Sequence, residues 1–136
     1  ELTGEKNMAL PMKLLLAVDG SRYTRRMLSY IASNELLFRP EYDYVLFHAV
    51  PDHLDPAAND PVLEEAAQFL RNKGFKPRQL VRRGSPADQL VWLAAELQSN
   101  LLVMGCRGQS VLETVVLGSV TTDVLSRSHV PVLVVR

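Results

Sequence analysis

Short apolar runs alternate with longer amphipathic stretches along this chain. The apolar runs are bounded by turn residues and lie at positions 13–18, 42–50, 79–82, 100–104 and 130–135. Near-continuous runs of this kind are typical of strands that are covered on both faces, as in a parallel sheet. The pattern therefore predicts five strands, of which the one at 79–82 has the weakest apolar character.

The stretches between the apolar runs predict four helices. Each begins at a residue that suits a helix N-terminus, namely Ser21, Asp60, Ser85 and Gly118. Pro61 and Pro86 then stand at first helical positions, where a missing N–H costs nothing. We expect the first helix to extend to about Leu37 and the second to end at Gly74.

Strands that alternate with helices of this length favour an α/β fold with a parallel sheet. Right-handed crossovers then predict a doubly wound, five-stranded parallel sheet with strand order 3-2-1-4-5 and helices on both faces. We assign this domain to residues 12–136. Residues 1–11 are polar and unpatterned, so we expect an N-terminal extension without the features of a secretory signal.

Composition narrows the class of protein. The chain has 136 residues, in which 15 Lys and Arg balance 15 Asp and Glu. We therefore expect no nucleic-acid partner and no attraction to an anionic membrane. The single cysteine, Cys106, cannot form an intrachain disulfide, and no apolar run is long enough to span a bilayer. We expect a cytoplasmic protein with no metal site built from its own side chains.

The two most distinctive loops follow the first and the fourth predicted strands. The first strand ends at Asp19-Gly20-Ser21, and the fourth ends in the segment 105–108. In a doubly wound sheet, ligands bind outside the carboxyl ends of the strands where the winding direction reverses. With strand order 3-2-1-4-5, that point lies between these two strands. The sequence thus predicts a ligand site where the two loops meet.

The loop after the fourth strand has glycines at a characteristic spacing. It contains Gly105, Gly108 and, after nine further residues, Gly118 followed by Ser119. Glycine allows the backbone to approach a phosphate closely and permits positive φ, and successive amides in such turns bind anions. The helix that starts at Ser119 would add its N-terminal amides and dipole. We expect Ser119 and Thr121 to supply hydroxyl donors and Arg107 to reach a phosphate.

These residues resemble the universal stress protein family. Its nucleotide pattern is G-x-x-G, nine residues, then G followed by S or T, which the three glycines and Ser119 match. Segments 14–21, 47–50 and 130–136 are similar to that family's first strand, second-strand ending and C-terminus. The resemblance covers about residues 12–136. Two departures are Glu113 and Thr114, in a stretch that is often basic in relatives, and a short segment at 51–60.

The resemblance implies a set of nucleotide contacts. For the adenine and ribose, these are Ala17, Val18, Asp19 and Ala49. For the ribose and phosphates, they are Gly105, Cys106, Arg107, Gly108, Gln109, Ser110, Val111, Gly118, Ser119, Val120 and Thr121. The ligand implied is ATP, with or without Mg²⁺. The resemblance also implies a homodimer formed through the C-terminal strand.

Several interpretations stay open at this level. Asp19 suits a turn ahead of a helix cap as well as a ligand contact, and Arg107 suits a solvated loop. Cys106 is expected to fill space and His48 to form a structural hydrogen bond, so we assign no catalytic residue. The Gly-x-x-x-x-Gly-Lys-Ser/Thr loop of fast nucleotidases is missing, so ATP hydrolysis should be slow at most.

Three other functions compete with the ATP-binding hypothesis. The main alternative is a dimeric interaction module that no longer uses nucleotide. An enzyme that adenylates its substrate is disfavoured because Asp19-Gly20-Ser21 is only a fragment of the loop such enzymes carry. A dinucleotide oxidoreductase is disfavoured because no Gly-x-Gly-x-x-Gly follows the first strand.

Overall fold

The computed structural model of the chain describes residues 10–55, 59–108 and 116–136. In chain order its elements are β1 (Lys13–Ala17), α1 (Arg22–Ser33), β2 (Asp43–Val50), α2 (Pro61–Asn72), β3 (Arg78–Arg83), α3 (Pro86–Glu96), β4 (Leu101–Gly105), α4 (Ser119–Arg127) and β5 (Val132–Val135). The strands form one parallel sheet with the order β3-β2-β1-β4-β5. The predicted fold and strand order are therefore confirmed.

The sheet separates two hydrophobic cores. Leu14 and Leu16 of β1 point to the face covered by α1 and α2, where they pack with residues such as Ile31. Leu15 points to the other face, where it packs with Leu93 of α3. Successive strand residues alternate between faces, and both faces are covered. This explains why β1 is apolar throughout instead of alternating with polar residues.

The predicted helix caps form hydrogen bonds to the first turns of their helices. Ser21 Oγ accepts from the Thr24 N–H at 3.3 Å, and Asp60 Oδ1 accepts from the Leu63 N–H at 3.0 Å. Ser85 caps α3 in the same way. Gly118 occupies the cap position of α4 without a side-chain bond. Local cap chemistry thus determines where each helix begins.

The end of α1 differs from the prediction, which placed it near Leu37. The helix ends at Ser33, and the Phe38 N–H then donates to the Asn34 carbonyl in a turn. This turn buries Phe38, at 1% exposure, whereas Leu36 is left 91% exposed. A continued helix would have presented a different set of residues to the core. Burial of one aromatic ring therefore outweighed the helical pattern.

Hydrogen bonds between neighbouring strands bring the carboxyl ends of β1 and β4 to the same edge of the sheet. β1 pairs with β4 in the register Leu14↔Leu101 to Leu16↔Val103. The loop into α1 and the loop that follows Gly105 therefore emerge side by side. Within the described residues, no helix has the length and apolarity needed to cross a membrane.

Candidate functional site

A cavity lies where these two loops meet, as the strand order predicts. It holds about 520 Å³ of empty space, part of which is open to solvent. The predicted site residues that line it are Ala17, Val18, Asp19, Ala49, Gly105, Arg107, Gly108, Val120 and Thr121.

The inner wall of the cavity is apolar. Ala17 is the last residue of β1 and Ala49 the last but one of β2, and Phe47 and Met104 lie beside them on the α3 and α4 face of the sheet. Leu90 of α3 contributes to the same wall. The two alanines leave open the space that larger residues fill deeper in the core. The result is a slot suited to a flat apolar group.

Asp19 is held rigidly at the polar rim of this slot. Its Oδ1 accepts hydrogen bonds from the Ser21 N–H at 2.9 Å and from the Thr24 hydroxyl at 2.7 Å. The Asp19 N–H donates in turn to Thr24 Oγ1 at 3.0 Å. Thr24 is buried, so this network is shielded from water. The expected turn role of Asp19 and its position on the cavity therefore coexist.

The three loop glycines are required by contacts within the protein. A Cβ on Gly105 would lie 2.8 Å from Tyr23 Cβ, and one on Gly108 would lie 2.7 Å from Asp19 Oδ2. A Cβ on Gly118 would lie 3.3 Å from the Arg107 Cα. Positive φ, which glycine permits, is not used at these three positions; among the described glycines it occurs at Gly20, Gly74 and Gly84. The spacing of the motif instead lets the loop pack against α1 and against itself.

Two hydrogen bonds join the start of α4 to the end of β4. The Gly118 N–H donates to the Cys106 carbonyl at 2.8 Å. The Thr121 hydroxyl donates to the Gly105 carbonyl at 3.0 Å, so its proton is already engaged. Thr121 is therefore a structural tie that also lines the cavity, not a hydroxyl donor to a phosphate. Ser119 is exposed at the first position of α4.

Two further loop residues occupy contrasting environments. Cys106 is 3% exposed, consistent with a space-filling role, and it does not line the cavity. Arg107 lines the cavity, and its guanidinium stacks over the Tyr23 ring with Cζ 4.6 Å from the ring centroid. The cation is therefore held at the mouth of the site by an aromatic face.

His48 and Asp60 form a hydrogen-bond contact next to the site. His48 Nδ1 lies 2.7 Å from Asp60 Oδ2, and both side chains are largely buried. Partial burial alone would raise the pKa of the Asp60 carboxyl, but hydrogen bonds from His48 and from the Leu63 N–H outweigh it and hold the pKa below its ordinary value. This contact fixes the start of α2 to the end of β2, as expected for a structural histidine.

Some predicted residues lie outside the described part of the chain, and some lining residues were not predicted. Gln109, Ser110 and Val111 lie outside it, as do Glu113 and Thr114. The lining residues that sequence reasoning missed are Thr24, Phe47, Pro86, Leu90 and Met104. Phe47 could have been found two positions before Ala49, since alternate strand residues share a face. Thr24 could have been found as the partner of the Ser21 cap.

The chemistry of the site follows from these parts. An apolar slot lies beside the hydrogen-bonded carboxylate of Asp19, the guanidinium of Arg107 and the N-terminus of α4, a helix of nine residues. Helix N-termini favour anions through their unpaired amides and dipole. Among the described residues, no group of three or more His, Cys, Asp or Glu side chains is placed to hold a metal ion.

Fold and site together define a doubly wound α/β domain with a ligand cavity at its switch point. The sequence matches the model of the universal stress protein family over residues 12–136. The chain therefore belongs to the universal stress protein family.

Similarity to individual relatives supports this membership. The chain is 29% identical to universal stress protein YxiE of Bacillus subtilis over 91% of this chain and 98% of that protein. It is 30% identical to a universal stress protein of Thermus aquaticus over 90% of this chain and 97% of that protein. With universal stress protein MJ0577 of Methanocaldococcus jannaschii it shares 34% identity, but the match spans only 46% of that protein.

Solved structures share the fold. The structure of MJ0577 has a TM-score of 0.78 at 24% identity, covering 93% of this chain and 96% of that one. A universal stress protein in complex with cAMP has a TM-score of 0.73 at 27% identity, covering 94% and 98%. An Arabidopsis thaliana family protein with AMP bound has a TM-score of 0.68 at 15% identity, covering 92% and 91%.

Proposed function

We propose that this chain is an ATP-binding regulatory protein of the stress response that hydrolyses ATP slowly or not at all. The observation that carries the proposal is the cavity between the ends of β1 and β4, which joins an apolar slot to Arg107 and to the N-terminus of α4. Solved structures of similar fold contain cAMP or AMP, which makes an adenine nucleotide the ligand class to test first.

The apolar slot suits the adenine ring. Ala17 and Ala49 leave room at the strand ends, and Leu90 and Met104 provide apolar surfaces beside that space. The carboxylate of Asp19 lies at the rim of the slot, where ribose hydroxyls can donate to it. In this arrangement the base is buried by shape and the sugar is oriented by a fixed acceptor. Burial of the base and the hydrogen bond to the sugar both favour a nucleoside over an isolated phosphate.

The phosphates would extend toward α4. The first-turn amides of a helix have no intrahelical acceptor, so those of Ser119 and Val120 can donate to phosphate oxygens. Arg107 adds a positive charge at the same mouth. A Mg²⁺ ion would enter with the phosphates, since phosphate oxygens and water are the ligands that it prefers.

The arrangement favours retention of ATP over turnover. Of the described residues that line the cavity, Asp19 carries the only carboxylate, and its Oδ1 already accepts two hydrogen bonds. A general base must reach the proton that it removes, and a carboxylate tied in this way is poorly placed to do so. His48 is engaged with Asp60. Slow hydrolysis or none is the expectation.

The two edges of the sheet support a homodimer through β5. The β3 edge carries Arg78, Arg82 and Arg83, and charged residues discourage strand pairing. The β5 edge reads Val-Leu-Val-Val, and all four residues are partly exposed. An aliphatic edge of this kind invites a second copy of the same strand. The proposal places the dimer in the cytoplasm, where adenine nucleotides are abundant.

Calorimetric titration with ATP and Mg²⁺ tests the nucleotide site. The Ala49→Leu variant adds bulk to the slot at a position outside the glycine loop, and Ala95→Leu, at an exposed position of α3, is the matched control. We expect saturable binding by the native chain and by the control, and at least about a tenfold loss in Ala49→Leu. Rapid multiple turnover of ATP in a phosphate-release assay would contradict the proposal of slow hydrolysis.

The main alternative is a dimeric module that works without nucleotide. The observation that favours it is the internal packing of Gly105, Gly108 and Gly118, which explains the glycine motif without a ligand. Failure of the native, folded protein to bind any adenine nucleotide, together with a stable dimer, would establish this alternative over the ATP-binding proposal.

A further inference from the structure

Three arginines surround one buried tyrosine beside the cavity. The guanidinium carbons of Arg22, Arg26 and Arg107 lie 5.2, 5.2 and 4.6 Å from the centroid of the Tyr23 ring. Arg22 also donates a 3.1 Å hydrogen bond to the Tyr23 hydroxyl. Two of these arginines come from α1 and one from the glycine loop. We call these three residues the arginine cluster.

The N-terminus of α1, which supplies two residues of the arginine cluster, breaks the usual charge preference of a helix. Arg22, Arg25 and Arg26 stand within the first five residues of α1, and the first turn has no acidic residue. Cations are unfavourable there, because the helix dipole already places positive charge at the N-terminus. The chain as a whole is neutral, so this positive charge is local. Local rules are most often broken where a site needs it.

Packing ties the arginine cluster to the nucleotide cavity. Tyr23 is 4% exposed and lies directly against Gly105, where a Cβ would come 2.8 Å from Tyr23 Cβ. Arg107 stacks on the outer part of the same side chain and lines the cavity. Arg22 and Arg26 are exposed, so their guanidinium groups can turn toward the part of a bound ligand that extends out of the cavity. The positive charge therefore begins at the cavity mouth and continues along α1.

We propose that the arginine cluster holds the outer phosphates of a nucleotide, so that affinity rises with the number of phosphates. This inference rests on the proposed nucleotide site. The α-phosphate would stay near the start of α4, and the β- and γ-phosphates would reach Arg22 and Arg26. Guanidinium groups suit this role because their planar forks bind phosphate oxygens in pairs. The Tyr23 ring restricts where the forks can move before the ligand arrives.

The test compares AMP, ADP and ATP by calorimetry at low ionic strength without Mg²⁺, so that the ligand keeps all its charge. The native chain should bind ATP at least about tenfold more tightly than AMP. The double variant R22Q/R26Q should lose most of this ratio, and R22K/R26K should retain part of it because the charge remains. The control R39Q/R71Q removes the same charge from arginines paired with Glu41 and Glu64, and should keep the native ratio.

Each outcome is decisive. Inorganic triphosphate should compete with ATP for the native chain and compete poorly for R22Q/R26Q. If AMP and ATP bind the native chain equally well, or if R22Q/R26Q keeps the native ratio, the inference is wrong while the nucleotide site stands. If neither AMP nor ATP binds the folded native chain, the proposed function fails and the inference fails with it.

Discussion

Asp19 and Gly108 meet across the switch point of the sheet. A Cβ placed on Gly108 would lie only 2.7 Å from Asp19 Oδ2. The other carboxylate oxygen, Oδ1, is fixed by the Thr24 hydroxyl and the Ser21 N–H. The carboxylate is therefore held between α1 and the glycine loop. Its orientation at the cavity depends on the absence of a side chain at position 108.

The Gly108→Ala substitution should weaken nucleotide binding as well as the fold. The added methyl group displaces the Asp19 carboxylate and weakens its hydrogen bonds from Ser21 and Thr24, since bonds to a charged acceptor are worth about 1.5–3 kcal/mol each. We expect about a tenfold loss of ATP affinity by calorimetry. Gly74→Ala is the control, because position 74 has open space but a φ of +95°. That control should lose about 1 kcal/mol of stability and no affinity.

Gly105→Ala should act mainly on stability. Its Cβ would meet the Tyr23 Cβ at 2.8 Å and the Tyr23 carbonyl oxygen at 3.0 Å, and that backbone cannot turn aside as a side-chain tip can. Overpacking of this kind costs about 1–3 kcal/mol. Urea unfolding should report a lower midpoint with an unchanged slope. A variant as stable as the native chain would show that α1 can move away from β4 freely.

The Asp60 carboxylate should make stability depend on pH in acid. Because its pKa is held below the ordinary value in the folded chain, it stabilises the fold above the unfolded pKa of about 3.9. That contribution is lost as pH falls through the lower folded pKa. Asp60→Asn keeps an N-cap acceptor but removes the charge. We expect it to cost about 1 kcal/mol near neutral pH and progressively less as the pH falls below the unfolded pKa of about 3.9, measured by urea unfolding. A difference that stays constant with pH would contradict this account.

The Val134→Lys substitution should dissociate the proposed homodimer. It places a charge on the aliphatic β5 edge, and charged edges resist strand pairing. Val81→Lys makes the same change on β3, where the residue is also partly buried and the edge already carries arginines. Sedimentation equilibrium should find a dimer for the native chain and Val81→Lys, and a monomer for Val134→Lys. A native monomer would remove the dimer from the proposed function.

The elements and the place of the site were predictable because their signals are local. A few consecutive residues are enough to recognise the apolar runs of β1 and β4 and helix caps such as Ser21 and Asp60. Right-handed crossovers then leave few strand orders, and the observed order follows. That order alone brings the Asp19 loop to the glycine loop.

Sequence by itself therefore determined the fold, the switch point and the residue types gathered there. Only tertiary structure decided what each residue does, because those contacts join distant parts of the chain. A side chain at position 105 would collide with Tyr23, and the Thr121 hydroxyl donates its hydrogen bond to the Gly105 carbonyl. The end of α1 depends on whether Phe38 finds space in the core. The arginine cluster likewise exists only because the loop from β4 places Arg107 over a ring of α1. Local pattern sets conformation through backbone energetics, whereas such roles depend on packing partners that no spacing along the chain reveals.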